Sequence, residues 1–280
     1  DMFAQYGVNV PTTKSEWIAA CKTFVDAGVV PFAFGGSELD PSGYTMENWI
    51  YPMLLSSESA MRANAKIMAG EISIKDVPEY KQALINAYEM FVPFIEKNDM
   101  SIPREKAYDM FIGKKRPMTI HGNFVCGVFR AANPEANIGI FPITWSENAD
   151  ENKLNGYFDD NLMIAADGVT DAALKWMEFA SSPAGLEIWA RNTGSLTSST
   201  LAGEIEIDPI AVDILQYFNA DKVYYKSDMS MFSGNFQTEW QSMCQKFFAD
   251  GIDAYQNGVD SETFVTGQLE QMDLRFKALL

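Results

Sequence analysis

Apolar residues recur at helical spacing through most of this chain, and short apolar runs bounded by Gly and Pro separate the helical stretches. After Thr13, the positions Trp17, Ile18, Cys21, Phe24 and Val25 repeat with the period of one helix face, and Gly28 stops the pattern. Thr13 and Glu16 stand at capping-box spacing in front of it. Val29–Phe34, closed by Gly35-Gly36, reads as a buried strand. Helices are predicted near 46–56 and from 78 to about 97, where Tyr80, Leu84, Tyr88, Phe91 and Ile95 are spaced by about one turn. A short helix ending at Gly113, a basic turn and a strand over 117–120 lead to His121-Gly122-Asn123-Phe124, and a helix could begin in the apolar run 125–129. Further strands are expected at 137–143 and 162–165. Helices are expected at 171–181, 183–191, 209–219, 235–250 and 261–279. Strands separated by helices indicate an α/β architecture.

Composition narrows the function. The chain of 280 residues is 47% apolar and 13% aromatic, enough for one large core or two modest ones and too apolar for disorder. Its net charge of −17, from 21 basic and 38 acidic residues, argues against nucleic acid and against electrostatic docking on anionic lipid. No segment reaches the roughly 18 consecutive apolar residues of a membrane span. Cys21, Cys126 and Cys244 are odd in number, far apart and set in apolar contexts, which predicts buried free thiols.

Catalytic chemistry finds few footholds. A single histidine, His121, cannot build a multi-histidine metal site, and the 107–124 stretch that carries it holds no metal-ligand spacing, nucleophile elbow or phosphate loop. A glycosidase would need two carboxyls about 5–10 Å apart. Asp159 or Asp160 with Glu47 is the pair that could be imagined, although adjacent aspartates on a strand face opposite ways. Aromatic residues interleaved with amides and carboxylates are more telling, because sugars stack their C–H faces on rings and need hydroxyl partners of both polarities. Such clusters are Tyr44 with Asn48-Trp49, Asn123 with Phe124 beside His121 as a further candidate contact, Phe158 with Asp159-Asp160, and Phe232 with Asn235-Phe236.

Several segments carry a resemblance, in matching order along the chain. Tyr6-Gly7, Val10-Pro11-Thr12-Thr13 and Glu16 come first, with no Trp between Thr13 and Glu16. Phe111, Gly113, Lys114, Met118 and Gly122 follow, with Asn123-Phe124 where Ser/Pro-Trp is usual. Ala172-Ala173-Leu174, Ser181-Ser182-Pro183 and Thr193-Gly194-Ser195-Leu196 complete the series. With these the chain resembles the carbohydrate-binding extracellular solute-binding proteins of bacterial ABC importers, the maltose-binding-protein-like group. The resemblance implies a type II periplasmic-binding-protein-like fold of two lobes, α/β in class, with the N-terminal lobe incomplete. It implies that 1–156 build the first part of the C-terminal lobe, that 157–207 cross into the N-terminal lobe, and that 208–280 return as helices. The signal segment and the lipoprotein cysteine would lie in a missing N-terminal part. It further implies a stacking role for Phe124, for Phe236 or Trp240, and for Trp49, which is expected to reach solvent. A carbohydrate ligand and a permease partner are implied, with no cofactor, no metal and no catalysis. Contact with a membrane would come only through the lipid anchor, on the outer face or in the periplasm. Two alternatives stay open: the hydrolase just described, and a binder of a non-sugar solute such as a peptide or polyamine. The scarcity of Arg and Lys in the clusters counts against an anionic ligand.

Overall fold

A computed structural model describes residues 1–156, 163–193, 196, 208–225 and 232–280. They form two compact units: Asp1–Ile120 with Phe141–Gly156 and Lys222–Leu280, and His121–Ile140 with Tyr157–Asp221.

In unit 1, α1 is Met2–Gln5, α2 Lys14–Asp26, α3 Leu39–Leu54, α4 Glu58–Met61, α5 Ala63–Met68, α6 Pro78–Met90 and α7 Arg104–Ile112. The helices α12 (Gly234–Gln256) and α13 (Ser261–Lys277) close it. The Thr13 hydroxyl accepts from the Glu16 amide at the start of α2, while the Glu16 carboxylate accepts from the Thr12 amide and hydroxyl, one residue upstream of the expected capping-box partner. Gly28 follows α2 in the left-handed region, φ 74°. The predicted helix 78–97 stops at Met90, because Pro93 has no N–H to continue it. A 3-10 turn over Val92–Phe94 takes its place.

The core of unit 1 is aromatic. Trp49 meets Trp17 edge-on at 5.6 Å and Phe91 at 6.4 Å, and Phe34, Phe91 and Phe248 meet pairwise at 5.2–5.3 Å. Helix α3 supplies Met46, Trp49, Ile50 and Leu54 to it and packs on α12 and α6. Cys21 and Cys244 lie in this core as free thiols, and Cys126 is likewise free and buried, as expected.

The expected strands are mostly absent among the described residues. Val29–Phe34 and 117–120 meet only at one parallel bridge, Phe32 with Met118, and neither 137–143 nor 163–165 forms a strand. Pro31 and Pro117 each lack a ladder donor beside that bridge. Sheet structure is confined to β1 (Leu154–Gly156) and β2 (Val223–Tyr225), three residues each and paired in parallel. The architecture is therefore helix-rich with a small sheet.

A buried ion pair replaces the missing sheet contacts. Arg116 Nη1 donates to the Phe32 carbonyl at 2.6 Å and to Asp99 Oδ2 at 2.7 Å, and Nη2 donates to Glu96 at 3.1 Å. Asp99 is fully buried, and its carbonyl accepts from the Gly36 amide. One guanidinium thus ties the 29–36 segment to the turn at 96–101.

Unit 2 contains α8 (Cys126–Ala132), α9 (Asp171–Ala180), α10 (Pro183–Thr193) and α11 (Pro209–Asn219). Residues 121–140 and 208–221, expected to belong with the segments before and after 157–207, are part of it. The reason is local: α8 packs on α10, and Arg130 of α8 donates to both carboxylate oxygens of Asp208, at 2.9 and 3.2 Å. Asp208 also caps α11 through the Ile210 amide. Burial pushes the Asp208 carboxyl up, but the hydrogen bonds from Arg130 and Ile210 outweigh it and hold the group below its usual value.

Three outcomes are expected. Arg116→Ala leaves Asp99 buried and unpaired and should cost about 3–5 kcal/mol in urea unfolding. The double replacement Arg116→Met with Asp99→Leu should recover part of that loss. In unit 2, a folded pKa that is depressed contributes stability above the unfolded carboxylate value of about 3.9 and loses it as pH falls through the folded value. Asp208→Asn should therefore lower the melting temperature at pH 7, and the difference from the parent chain should shrink as pH is taken below about 4.

Candidate functional site

In unit 2, Gly122 is extended and leads into a 3-10 turn over Asn123–Val125, which runs directly into α8. The turn lifts Phe124 outward, 42% exposed, with the His121 ring edge-on at 5.9 Å and 89°. Asn123 and His121 are half-buried beside it. An exposed ring next to an amide and an imidazole offers one stacking face and polar neighbours. Behind it the Cys126 thiol is pushed up to about 11 by burial and by Asp208, against the opposing charge of Arg130. At neutral pH it stays protonated and is no nucleophile.

In unit 1, Tyr44 and Asn48 lie four residues apart on one face of α3, both half-buried, and Asn48 Nδ2 donates to the Tyr44 carbonyl at 2.9 Å. Asn155 on β1 reaches the same helix, its Nδ2 lying 3.4 Å from Asn48 Oδ1. The shielded Asn155 Oδ1 accepts from no group among the described residues, and the shielded Trp145 Nε1 donates to none. An open amide acceptor and an open indole donor are what hydroxyl groups satisfy. Neither residue was singled out from the sequence. An asparagine on a short strand and a tryptophan beside a polar loop give no signal before their neighbours are known.

The other predicted residues divide between surface and core. Trp49 is 0% exposed and Trp240 2%, so neither has a ring face for a ligand, and the expectation that Trp49 reaches solvent is corrected. Trp49 follows Asn48 by about 100° around α3, which turns it inward. Phe232 is also interior, stacked on Tyr80 at 6.3 Å and packed on Trp240 at 5.5 Å and Phe276 at 4.8 Å. Phe236 is half-buried against Phe276 at 5.2 Å, and Asn235 is exposed. Asp159 and Asp160 lie outside the described residues. Glu47 is half-buried on α3, so the imagined carboxylate pair has one described member.

No group of three or more His, Cys, Asp or Glu residues could hold a metal ion among the described residues. No described helix is long and apolar enough to cross a membrane. A groove of about 500 Å³ on unit 1, lined by Ile18, Val25, Tyr88, Phe94 and Tyr255 among others, includes none of the predicted residues.

No protein-family model matches the chain, and no curated protein does. Solved structures do. A sugar transporter protein from Bacillus licheniformis in complex with stachyose aligns over 98% of this chain and 69% of its own, with TM-score 0.73 and 18% identity. The solute-binding protein RafE in complex with raffinose aligns over 99% and 69%, with TM-score 0.65 and 17% identity. The bacterial solute receptor AcbH, described as having an exclusive preference for β-D-galactopyranose, aligns over 99% and 68%, with TM-score 0.68 and 14% identity. Nearly every residue of this chain thus has a counterpart in proteins that bind sugars, and the fold is the one those solute-binding proteins share.

Proposed function

We propose that this chain is the carbohydrate-capturing part of a bacterial ABC importer's solute-binding protein. It would act outside the cell membrane, carried there by a signal and a lipid anchor that belong to a longer protein. The observation that carries the reading is the fold likeness along 98% of the chain to a structure holding stachyose.

Unit 2 would offer a stacking face in the exposed ring of Phe124 beside Asn123 and His121, and unit 1 a hydroxyl partner in the open acceptor of Asn155 near Asn48. Two lobes would close on the ligand, and the closed state would be recognised by the permease. The ligand selects that state by binding it more tightly than the open one. One lobe would be built mainly from 1–120, 141–156 and 222–280, and the other, which takes in 157–207 together with 121–140 and 208–221, would be incomplete. The chain makes and breaks no bond in this scheme. Its candidate contacts are Tyr44, Asn48, His121, Asn123, Phe124, Asp159, Asp160, Asn235 and Phe236.

The test is calorimetry with stachyose, raffinose, galactose and chitin oligosaccharides, on this chain and on the longer gene product. The longer protein should bind at least one of them, and the 280-residue chain weakly or not at all. Sub-millimolar binding by the short chain would remove the split-site part of the reading, and no sugar binding by the longer protein would remove carbohydrate as the ligand. In that longer protein Phe124→Ala should weaken binding about tenfold, the loss of one stacking contact of about 1.4 kcal/mol. Phe124→Trp should retain binding, and Trp49→Phe should leave affinity unchanged because that ring is interior.

A further inference from the structure

Ile18, Lys22, Val25 and Asp26 follow one another at i, i+4, i+7 and i+8, so they share one face of α2. That face lines the groove of about 500 Å³ on unit 1, a volume in the range of small-molecule clefts. The corner between α12 and α13 contributes Tyr255 and Val259, and the 3-10 turn after α6 contributes Phe94. Val25 and Tyr255 keep apolar surface open to solvent, at 48% and 49% exposure, while Phe94 is buried.

Hydrogen bonds and ring contacts hold this lining in place. Tyr88 stacks on Phe264 at 4.7 Å and donates to the Val259 carbonyl at 2.7 Å. Ser261 Oγ donates to Glu89 Oε1 at 2.8 Å, and Lys14 Nζ donates to Glu89 Oε2 at 2.9 Å. Asp260 accepts from the Thr263 amide and hydroxyl at 2.9 and 2.7 Å. Of the three carboxylates on the lining, Glu89 and Asp260 are therefore already engaged in joining α2, α6 and α13.

Two charges remain. Lys22 and Asp26 are exposed, and neither side chain makes an ion pair or hydrogen bond among the described residues. Their i,i+4 spacing sets their Cβ atoms about 5–6 Å apart, yet they do not pair with each other. A ligand that is only an anion or only a cation leaves one of them unanswered. A sugar would meet a single open ring and few free hydrogen-bond partners, since the Tyr88 hydroxyl, Glu89 and Asp260 are taken. An ammonium and a carboxylate on one carbon answer both charges together, and an apolar branch from that carbon suits Val25 and Tyr255. We propose that the groove is a second ligand site, for an α-amino acid with a large apolar side chain. Its ammonium meets Asp26, its carboxylate meets Lys22, and its side chain covers Val25 and Tyr255. The site goes beyond the carbohydrate reading and does not rest on it. Exposed charge pairs hold a ligand loosely, so the expected dissociation constant is on the order of a millimolar.

The experiment titrates the intact gene product with L-phenylalanine and L-leucine and follows its backbone amides in proton–nitrogen correlation spectra. Saturable shifts confined to 18–26, 88–94 and 255–261 are expected. Phenethylamine, which lacks the carboxylate, and phenylpropionate, which lacks the ammonium, should each bind about threefold more weakly than phenylalanine. Glycine, without a side chain, should bind about tenfold more weakly or worse. Asp26→Asn should weaken phenylalanine and leave phenylpropionate unchanged, and Lys22→Gln should weaken phenylalanine and leave phenethylamine unchanged. No saturable shift at concentrations on the order of ten millimolar would overturn the site. Equal binding of phenylalanine and either singly charged analogue would overturn the ligand class. Tighter binding of N-acetylphenylalanine amide, which carries neither charge, would assign the groove to a polypeptide partner and overturn the proposal. Shifts centred instead on 44–48 or 121–124, or displacement of phenylalanine by a bound sugar, would show that the groove is no separate site.

Discussion

Helix α3 has to be covered on nearly every side, and the rest of unit 1 is arranged to do it. Its buried residues run from Pro41 to Leu54 and include Ser42, Thr45, Met46, Trp49, Ile50, Tyr51 and Met53. A helix with apolar groups this far around its circumference is unstable in water alone and draws packing partners to each face. Helix α12 approaches so closely that a Cβ on Gly43 would lie 2.6 Å from Gln241 Cγ. Helix α6 covers another face, and β1 lies along a third. What stays half-buried is the stripe of Tyr44, Glu47 and Asn48. The candidate polar residues of unit 1 therefore sit where the core leaves its central helix open.

Among its described residues unit 2 buries Phe129, Ala190, Ile210 and Ile214, and two of its joints are polar or depend on glycine: the Arg130–Asp208 pair between α8 and α11, and the contact of Gly127 with the end of α10. A Cβ at Gly127 would meet the Thr193 carbonyl oxygen at 2.8 Å. Such joints fix geometry but contribute little of the apolar burial that stabilises small domains, which below about 60–70 residues is already marginal. A partly exposed ion pair adds about a kcal/mol at most.

Helices whose ends carry their own chemistry were legible in the sequence. Thr13 and Gly28 frame α2, Asp208 and Pro209 open α11, and Asp260 caps α13 through the Thr263 amide, all from residues adjacent in the chain. Strands were not legible, because parallel pairing depends on a distant partner: Phe32 finds Met118 across 86 residues, and only one bridge forms. Phe124 was readable as a surface ring, since Gly122 and Asn123 place it on a turn. Trp49 was not, because its neighbours Tyr44 and Asn48 mark α3 as partly exposed while the turn of the helix carries the indole to the opposite side. Asn155 and Trp145 escaped notice for a related reason. An unfilled hydrogen-bond site is a property of surroundings, and it exists only once β1 and the 141–145 segment have packed.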